Sequence, residues 1–131
     1  HRYGCLMNQD PAEDAAKRDK IYAGLAKFAE LSALCAQDGP YFLGAEFSLA
    51  DVMLMPMYDQ FRFILPHYRG VEFIPAADAD GGAYPWAARM AEWATAVEGR
   101  ESFRKFTRGK DRYLRAYKGY AGARGVAAFG V

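Results

Sequence analysis

The chain is poor in the residues that announce most chemistries. Its 131 residues include two cysteines, Cys5 and Cys35, and two histidines, His1 and His67. The cysteines form no CxxC pair and no ligand cluster with either histidine, so neither a disulfide framework nor a bound metal is expected. A reducing compartment, the cytoplasm, is the corresponding expectation. Cys35 falls on an apolar helical stripe and reads as a small core hydrophobe rather than a reactive thiol. No apolar run approaches the roughly 18 residues of a membrane span, and no secretory signal is visible. Period-two alternation and internal repeats are also missing, which argues against a β fold or a solenoid.

Net charge is only +1, so no overall bias points to a polyanionic partner. The distribution is uneven. Residues 1–99 carry 8 basic and 14 acidic side chains, and residues 100–131 carry 9 and 2. With no nucleic-acid motif beside it, the basic end reads as a solvated helix face near an anionic ligand or the acidic half.

What is present is ordinary globular material: 52% hydrophobic and 25% charged residues, enough for one domain with a single core. The chain begins at His1 rather than Met, and HRYGCLMNQD reads as the tail of an element cut upstream, so a longer polypeptide is expected. Asp10-Pro11-Ala12-Glu13 then gives three agreeing helix-start signals: an aspartate N-cap, proline in the first turn and glutamate at N3. Ile21, Leu25, Phe28, Ser32 and Cys35 recur at steps of three and four, with Leu31 and Leu34 widening the stripe. That spacing predicts an amphipathic helix. Gly39 is expected as its left-handed cap and Pro40 as the block beyond.

A second helix is expected from Ser48 through VMLMPMYDQFRFIL, apolar on nearly all sides and therefore central, with a bend at Pro56. Residues 67–85 read as a linker. Trp86, Met90, Trp93 and Val97 mark a third helix capped by Gly99, a short turn follows at ESFRKF, and a last helix starts near Asp111. The expected class is all-α, with four or five helices, in a domain spanning residues 1–118 and followed by a flexible Gly/Ala tail at 119–131.

The helix start at Ser48-Leu49-Ala50-Asp51 has a specific physical reading. Ser48 can accept from the Asp51 amide, and Asp51 can reach back to the Ser48 amide, a capping box with Asp at N3. Phe47 and Val52 are spaced for a hydrophobic staple. Because this helix is buried, its first-turn amides need partners from within the protein. Ser48 and Asp51 are therefore structural residues, and no catalytic residue is assigned in the chain.

GPYFLGAEFSLADVMLMP resembles the segment G-P-[FY]-F-L-G-x-x-F-S-[LIV]-A-D-[VI]-x-[LM]-x-P of the C-terminal helical domain of cytosolic glutathione transferases. AYPWAARMAEWATAVEGRESFRKF, residues 83–106, resembles that family's later stretch: an aromatic-Pro pair, a Trp two turns on, and an R-x-S-F-like end. Together the two blocks cover most of residues 10–107. GKDRYLRAYKGY is most similar to the omega class and related thiol transferases.

The resemblance implies a division of labour. Glutathione and the catalytic Cys, Ser or Tyr belong to a thioredoxin-like domain, of which this chain shows no βαβ pattern, CPxC-like motif or cis-proline loop. Most of the first helix of the helical domain would lie ahead of His1. This domain would supply one wall of the cleft, for a small hydrophobic or disulfide co-substrate, in a detoxifying homodimer with no nucleic-acid or membrane partner. Carried over by position, the wall residues are Met53, Met57, Gln60, Tyr113 and Tyr117. Omega-like relatives place a basic residue where Gln60 stands, and Arg62 lies about 200° further round the helix. The family offers two reactions, conjugation to an electrophile and glutathione-dependent disulfide reduction. It also includes non-catalytic interaction modules in elongation-factor and tRNA-synthetase assemblies. The membrane-inserting chloride intracellular channel type finds no support in a chain without a spanning segment. From the capping box alone, Asp51→Ala should lower stability by about 1–2 kcal/mol in a denaturant titration.

Overall fold

A computed structural model describes residues 2–35, 38–77 and 82–124, without the side chain of Cys35, whose expected core position therefore lies outside the described residues. Those residues hold six helices, where the sequence suggested four or five: α1 (Arg2–Leu6), α2 (Asp14–Cys35), α3 (Leu49–Arg69), α4 (Ala87–Glu98), α5 (Glu101–Phe106) and α6 (Lys110–Ala121). The sixth is α1, the element expected to have been cut upstream.

Asp10 caps a 3₁₀ turn, Pro11–Glu13, by accepting from the Ala12 amide at 2.9 Å, and the turn leads directly into α2. Ile21, Leu25, Ala29 and Ser32 form the buried stripe of α2. Leu31 and Leu34, expected to widen it, are 40% and 76% exposed. They lie off the core face because α2 meets the other helices along a narrow seam. Gly39 also departs from expectation, because its φ is not positive. Its value is lack of bulk: a Cβ there would stand 2.4 Å from the backbone of Gly44 and Ala45. Gly44, at φ 90°, makes the left-handed turn instead, and exchanges two 3.0 Å hydrogen bonds with Tyr41.

The central helix is α3, which buries Leu54, Tyr58, Phe61, Ile64, Leu65 and Tyr68. It passes through Pro56 and also through Pro66, ending four residues beyond the expected apolar run. Gly70 (φ 64°) closes it, donating to Pro66 O at 3.1 Å. The expected linker is thus partly helix and partly core, since Val71 and Phe73 are buried. Residues 78–81 of that linker lie outside the described residues.

The capping box forms at Ser48, but it is one part of a larger node. Asp51, fully buried, accepts from the Ser48 amide and hydroxyl (both 2.7 Å), the Phe42 amide (2.9 Å) and the Trp93 indole N–H (2.9 Å). One carboxylate therefore fastens the start of α3 to the preceding loop and to the middle of α4. Val52, expected to staple against Phe47, is 43% exposed. Phe47 instead meets Tyr41 edge-on, under the Arg100 guanidinium at 3.7 Å.

Asp59, two turns on and also fully buried, accepts from Tyr113 (2.5 Å), Thr107 (2.7 Å) and Arg62 (3.1 Å), holding α6 and its approach against α3. Arg69 donates to backbone carbonyls at Cys5, Leu6 and Ala121, so one cation closes the C-terminal ends of α1 and α6. The helix of residues 110–121 enters the segment expected as a tail, and Arg124 there pairs with Asp14 through two contacts of 2.5 and 2.9 Å. Residues 125–131 of that segment lie outside the described residues.

The extra partners raise the expected loss for Asp51→Ala to about 3–5 kcal/mol, because the Trp93 and Phe42 donors are stranded along with the cap. Trp93→Phe, which removes one donor, should cost about 1–3 kcal/mol, and a loss for Asp51→Ala no larger than that of a lone cap would contradict the node. Two carboxyls also set the acid limb of stability. The Arg124 hydrogen bond, with that from Asn8, holds Asp14 below the usual carboxylate range. Burial pushes Asp51 upward, but hydrogen bonds from Ser48, Phe42 and Trp93 outweigh it and leave its pKa lowered. Depressed acids stabilise the fold above their unfolded pKa of about 3.9 and lose that contribution as pH falls through the folded values. Melting temperature should therefore fall below about pH 4, and Asp14→Asn should flatten part of that fall while lowering the plateau at pH 7.

Candidate functional site

The five residues assigned to a pocket wall do not converge on one point. Met53, 68% exposed, and Met57, half-buried, lie on α3 in an apolar groove of about 850 Å³ between α2 and α3. Tyr113 is buried, with its hydroxyl spent on Asp59; burial first, and then that hydrogen bond, push its pKa up to about 12. Gln60 and Tyr117 do meet. The Tyr117 hydroxyl donates to Gln60 Oε1 at 2.8 Å, joining α3 to α6. Arg62 is turned away from them, to Asp59 at 3.1 Å and Glu98 at 2.7 Å, with Phe63 stacked on its guanidinium at 4.4 Å. It does not replace the missing basic residue on the Gln60 face.

The Gln60–Tyr117 pair belongs to a larger aromatic cluster. Tyr3 of α1 stacks on Tyr117 with centroids 6.2 Å apart and an interplanar angle of 26°. Tyr120 stands 5.7 Å from Tyr117 and 6.2 Å from Tyr3. Phe61 supports the cluster from the core, edge-on to Tyr3 at 5.4 Å. The Arg2 guanidinium lies 5.4 Å from the Tyr3 ring and 5.7 Å from Phe61.

The hydroxyls form an ordered relay. Tyr3 and Tyr117 oxygens are 3.2 Å apart. A phenol has one proton, and Tyr117 gives its own to Gln60, so Tyr3 donates to Tyr117. Burial, and then the hydrogen bond with Tyr3, raise the Tyr117 pKa to about 12. Tyr117 is thus a neutral phenol at pH 7, suited to holding a polar group and not to abstracting a proton. The outer members, Tyr3 and Tyr120, are exposed. The arrangement can stack a flat or thioether-bearing group and place hydroxyls beside it.

Tyr3 and Tyr120 were not among the residues assigned from sequence. Tyr113, Tyr117 and Tyr120 recur at four and three, which places them on one helical stripe and would have added Tyr120. Tyr3 reaches the cluster only through tertiary packing of α1 on α3. Among the described residues there is no group of His, Cys, Asp or Glu able to hold a metal, and no helix long and apolar enough to cross a membrane.

The described residues form an all-helical domain with an aromatic, hydroxyl-bearing cluster where α1, α3 and α6 meet. The family model for "Glutathione S-transferase, C-terminal domain" matches residues 14–117, most of the chain, and the chain belongs to that family. No curated protein and no solved structure matches it significantly.

If the hydroxyl relay is as described, Tyr117→Phe should cost about 0.5–1.5 kcal/mol in a denaturant titration, whereas Tyr120→Phe, with no hydrogen bond shown, should cost less than about 0.5. Equal losses would contradict the relay.

Proposed function

We propose that this domain is the co-substrate side of a glutathione-dependent transferase, with the wall formed by Tyr3, Gln60, Tyr117 and Tyr120. The observation that carries the reading is the hydroxyl-lined aromatic cluster at the meeting of α1, α3 and α6, in a chain of this family. Glutathione and the reacting thiolate belong to a separate thioredoxin-like domain, so the chain alone is inactive. In that cleft the rings stack against a small hydrophobic or disulfide co-substrate, and the Gln60–Tyr117 pair orients its polar atoms. Tyr113 acts from behind, keeping α6 on α3. Met57, one turn ahead of Gln60 and Phe61, borders the wall, and Met53 lies further out.

Two reactions fit this wall. In one, the glutathione thiolate attacks an electrophilic carbon and displaces its leaving group. In the other, a thiolate attacks a mixed disulfide, forming a new disulfide and releasing the partner thiol, with glutathione resolving the intermediate. The omega-like reading, the detoxifying role, the homodimer and the cytoplasmic setting belong to this proposal. One observation favours a second reading, a protein-interaction module. Arg104, Lys110, Arg112, Arg115 and Lys118 are all exposed on α5 and α6, and no carboxylate pairs with them among the described residues.

The test has two arms. The 131-residue chain, given glutathione with an aryl halide or a mixed disulfide, should show no turnover above the solution rate. In a longer polypeptide that includes the thiol domain, Gln60→Ala should raise the co-substrate KM about 3- to 10-fold, as one lost hydrogen bond allows, and leave the glutathione KM unchanged. Turnover by the chain alone, or a variant that affects neither constant, would overturn the assignment.

A further inference from the structure

Helix α3 carries a second set of residues away from the tyrosine wall. Tyr58 and Arg62 stand two positions either side of Gln60 and so on the opposite face of the helix. With α4 and residues 72–77 they line a cavity of about 370 Å³. The space exists because α4 presents short side chains there. Ala91, Ala94, Thr95 and Glu98 fall on one stripe of the helix, and the first two end at Cβ. Tyr58, Phe73 and Ile74 give the cavity an apolar body. Its size and its mix of apolar walls with a few polar groups are those of a small-molecule site.

The polar groups carry a charge imbalance. Glu98 accepts from the Tyr58 hydroxyl and from Arg62 at 2.7 Å, both on Oε1, which leaves its Oε2 without a partner among the described residues. Arg62 also serves the buried Asp59 at 3.1 Å, so one guanidinium answers two carboxylates. The rings of Phe63, Tyr58 and Phe103 stand 4.4, 5.2 and 5.3 Å from that guanidinium, and its Nε is buried with no hydrogen-bond partner. Its charge is therefore committed to the two acids and the ring faces. Burial, and then the hydrogen bond to Glu98, hold the Tyr58 pKa well above the usual phenol value, so Tyr58 adds no charge at pH 7. Glu72 lines the same cavity, and no cation pairs with its carboxylate among the described residues. Thr95 gives its proton to Ala91 O at 3.0 Å and keeps lone pairs for an incoming donor. The lining thus presents acceptors and an excess of negative charge. An anion would meet like charge, and a neutral molecule would leave the imbalance in place. Among the described residues no group of acids is able to hold a metal ion. An organic ammonium supplies both the donors and the charge.

We propose that this cavity is a binding site for a primary or secondary ammonium compound with a compact apolar body. The ammonium donates to Glu98 Oε2, Glu72 supplies a second negative charge in the lining, and the body rests against Tyr58, Phe73 and Ile74. The site shares no residue with the proposed co-substrate wall and is independent of it.

Benzylammonium is the probe, with benzyl alcohol and benzoate as its neutral and anionic counterparts. Each is titrated into the 131-residue chain and followed through amide proton–nitrogen NMR shifts. Benzylammonium should give saturable shifts at the amides of Ile74, Thr95 and Glu98. It should bind at least about tenfold more tightly than benzyl alcohol, as one charge-assisted contact allows, and benzoate should give no saturable shift. Glu98→Gln should weaken benzylammonium about tenfold. Because Glu98 also holds Tyr58 and Arg62, two variants that break no contact accompany it. Glu72→Gln, at an exposed position, should weaken binding about two- to fivefold. Ala91→Leu, which fills the cavity from an exposed position on α4, should abolish it. Equal affinity for benzylammonium and benzyl alcohol would overturn the proposal. So would shifts centred on Tyr117 or Met53, unchanged affinity in Ala91→Leu, or no saturable shift with benzylammonium.

Discussion

The buried carboxylate of Asp51 is the constraint on which the rest of the domain depends. A carboxylate in the interior is tolerated only when donors replace its water, and this one has four. Two belong to Ser48 and start α3. The Phe42 amide fixes the loop between α2 and α3, and the Trp93 indole fixes α4. Helix α3 is capped by Ser48, whose amide and hydroxyl both donate to Asp51. The same group that satisfies them therefore also sets the position of two neighbours.

Asp59 repeats the device eight residues later on the same helix. It receives Tyr113, Thr107 and Arg62, and so determines how α6 lies on α3. That placement brings Tyr117 to Gln60 and Tyr120 beside Tyr3. The wall is thus a consequence of two carboxylates on one helix: Asp51 holds α3 in the bundle, and Asp59 brings the aromatic helix to it. Arg69 completes the frame by closing α1 and α6 at their C-terminal ends. These groups are spent on protein partners, and the geometry of the hydroxyl relay rests on them.

Local signals in the sequence transferred well to the structure. The Asp10 cap, the Ser48–Asp51 box and the break between α5 and α6 each rest on interactions within a few residues, and those are legible from spacing alone. What required the fold was a choice between faces. Leu31 and Leu34 have the right period but lie off the seam, because periodicity gives a stripe and not its width. Gly39 looked like a left-handed cap, but its role is a close backbone approach that only the neighbouring loop reveals. The linker was expected from His67, yet α3 continues to Arg69. Of the proposed wall, Gln60 and Tyr117 were named by family position. Tyr120 was available from the α6 stripe, while Tyr3 came from a contact across 114 residues. Asp59 offered only its i,i+3 pair with Arg62 as a local signal, since Thr107 and Tyr113 lie on α5's exit and α6.

Little of this chain is given to reactive side chains: it holds two cysteines and two histidines. Its polar residues are spent on holding α3, α4 and α6 in register. The claim that Asp51 is the node of that frame is tested most directly by native-state hydrogen exchange on the Trp93 indole and the Phe42 amide. If Asp51 organises the domain, both protons exchange only through global opening, with the same denaturant dependence as the deepest amides of α3. Fast exchange of either through a local, denaturant-independent fluctuation would contradict it.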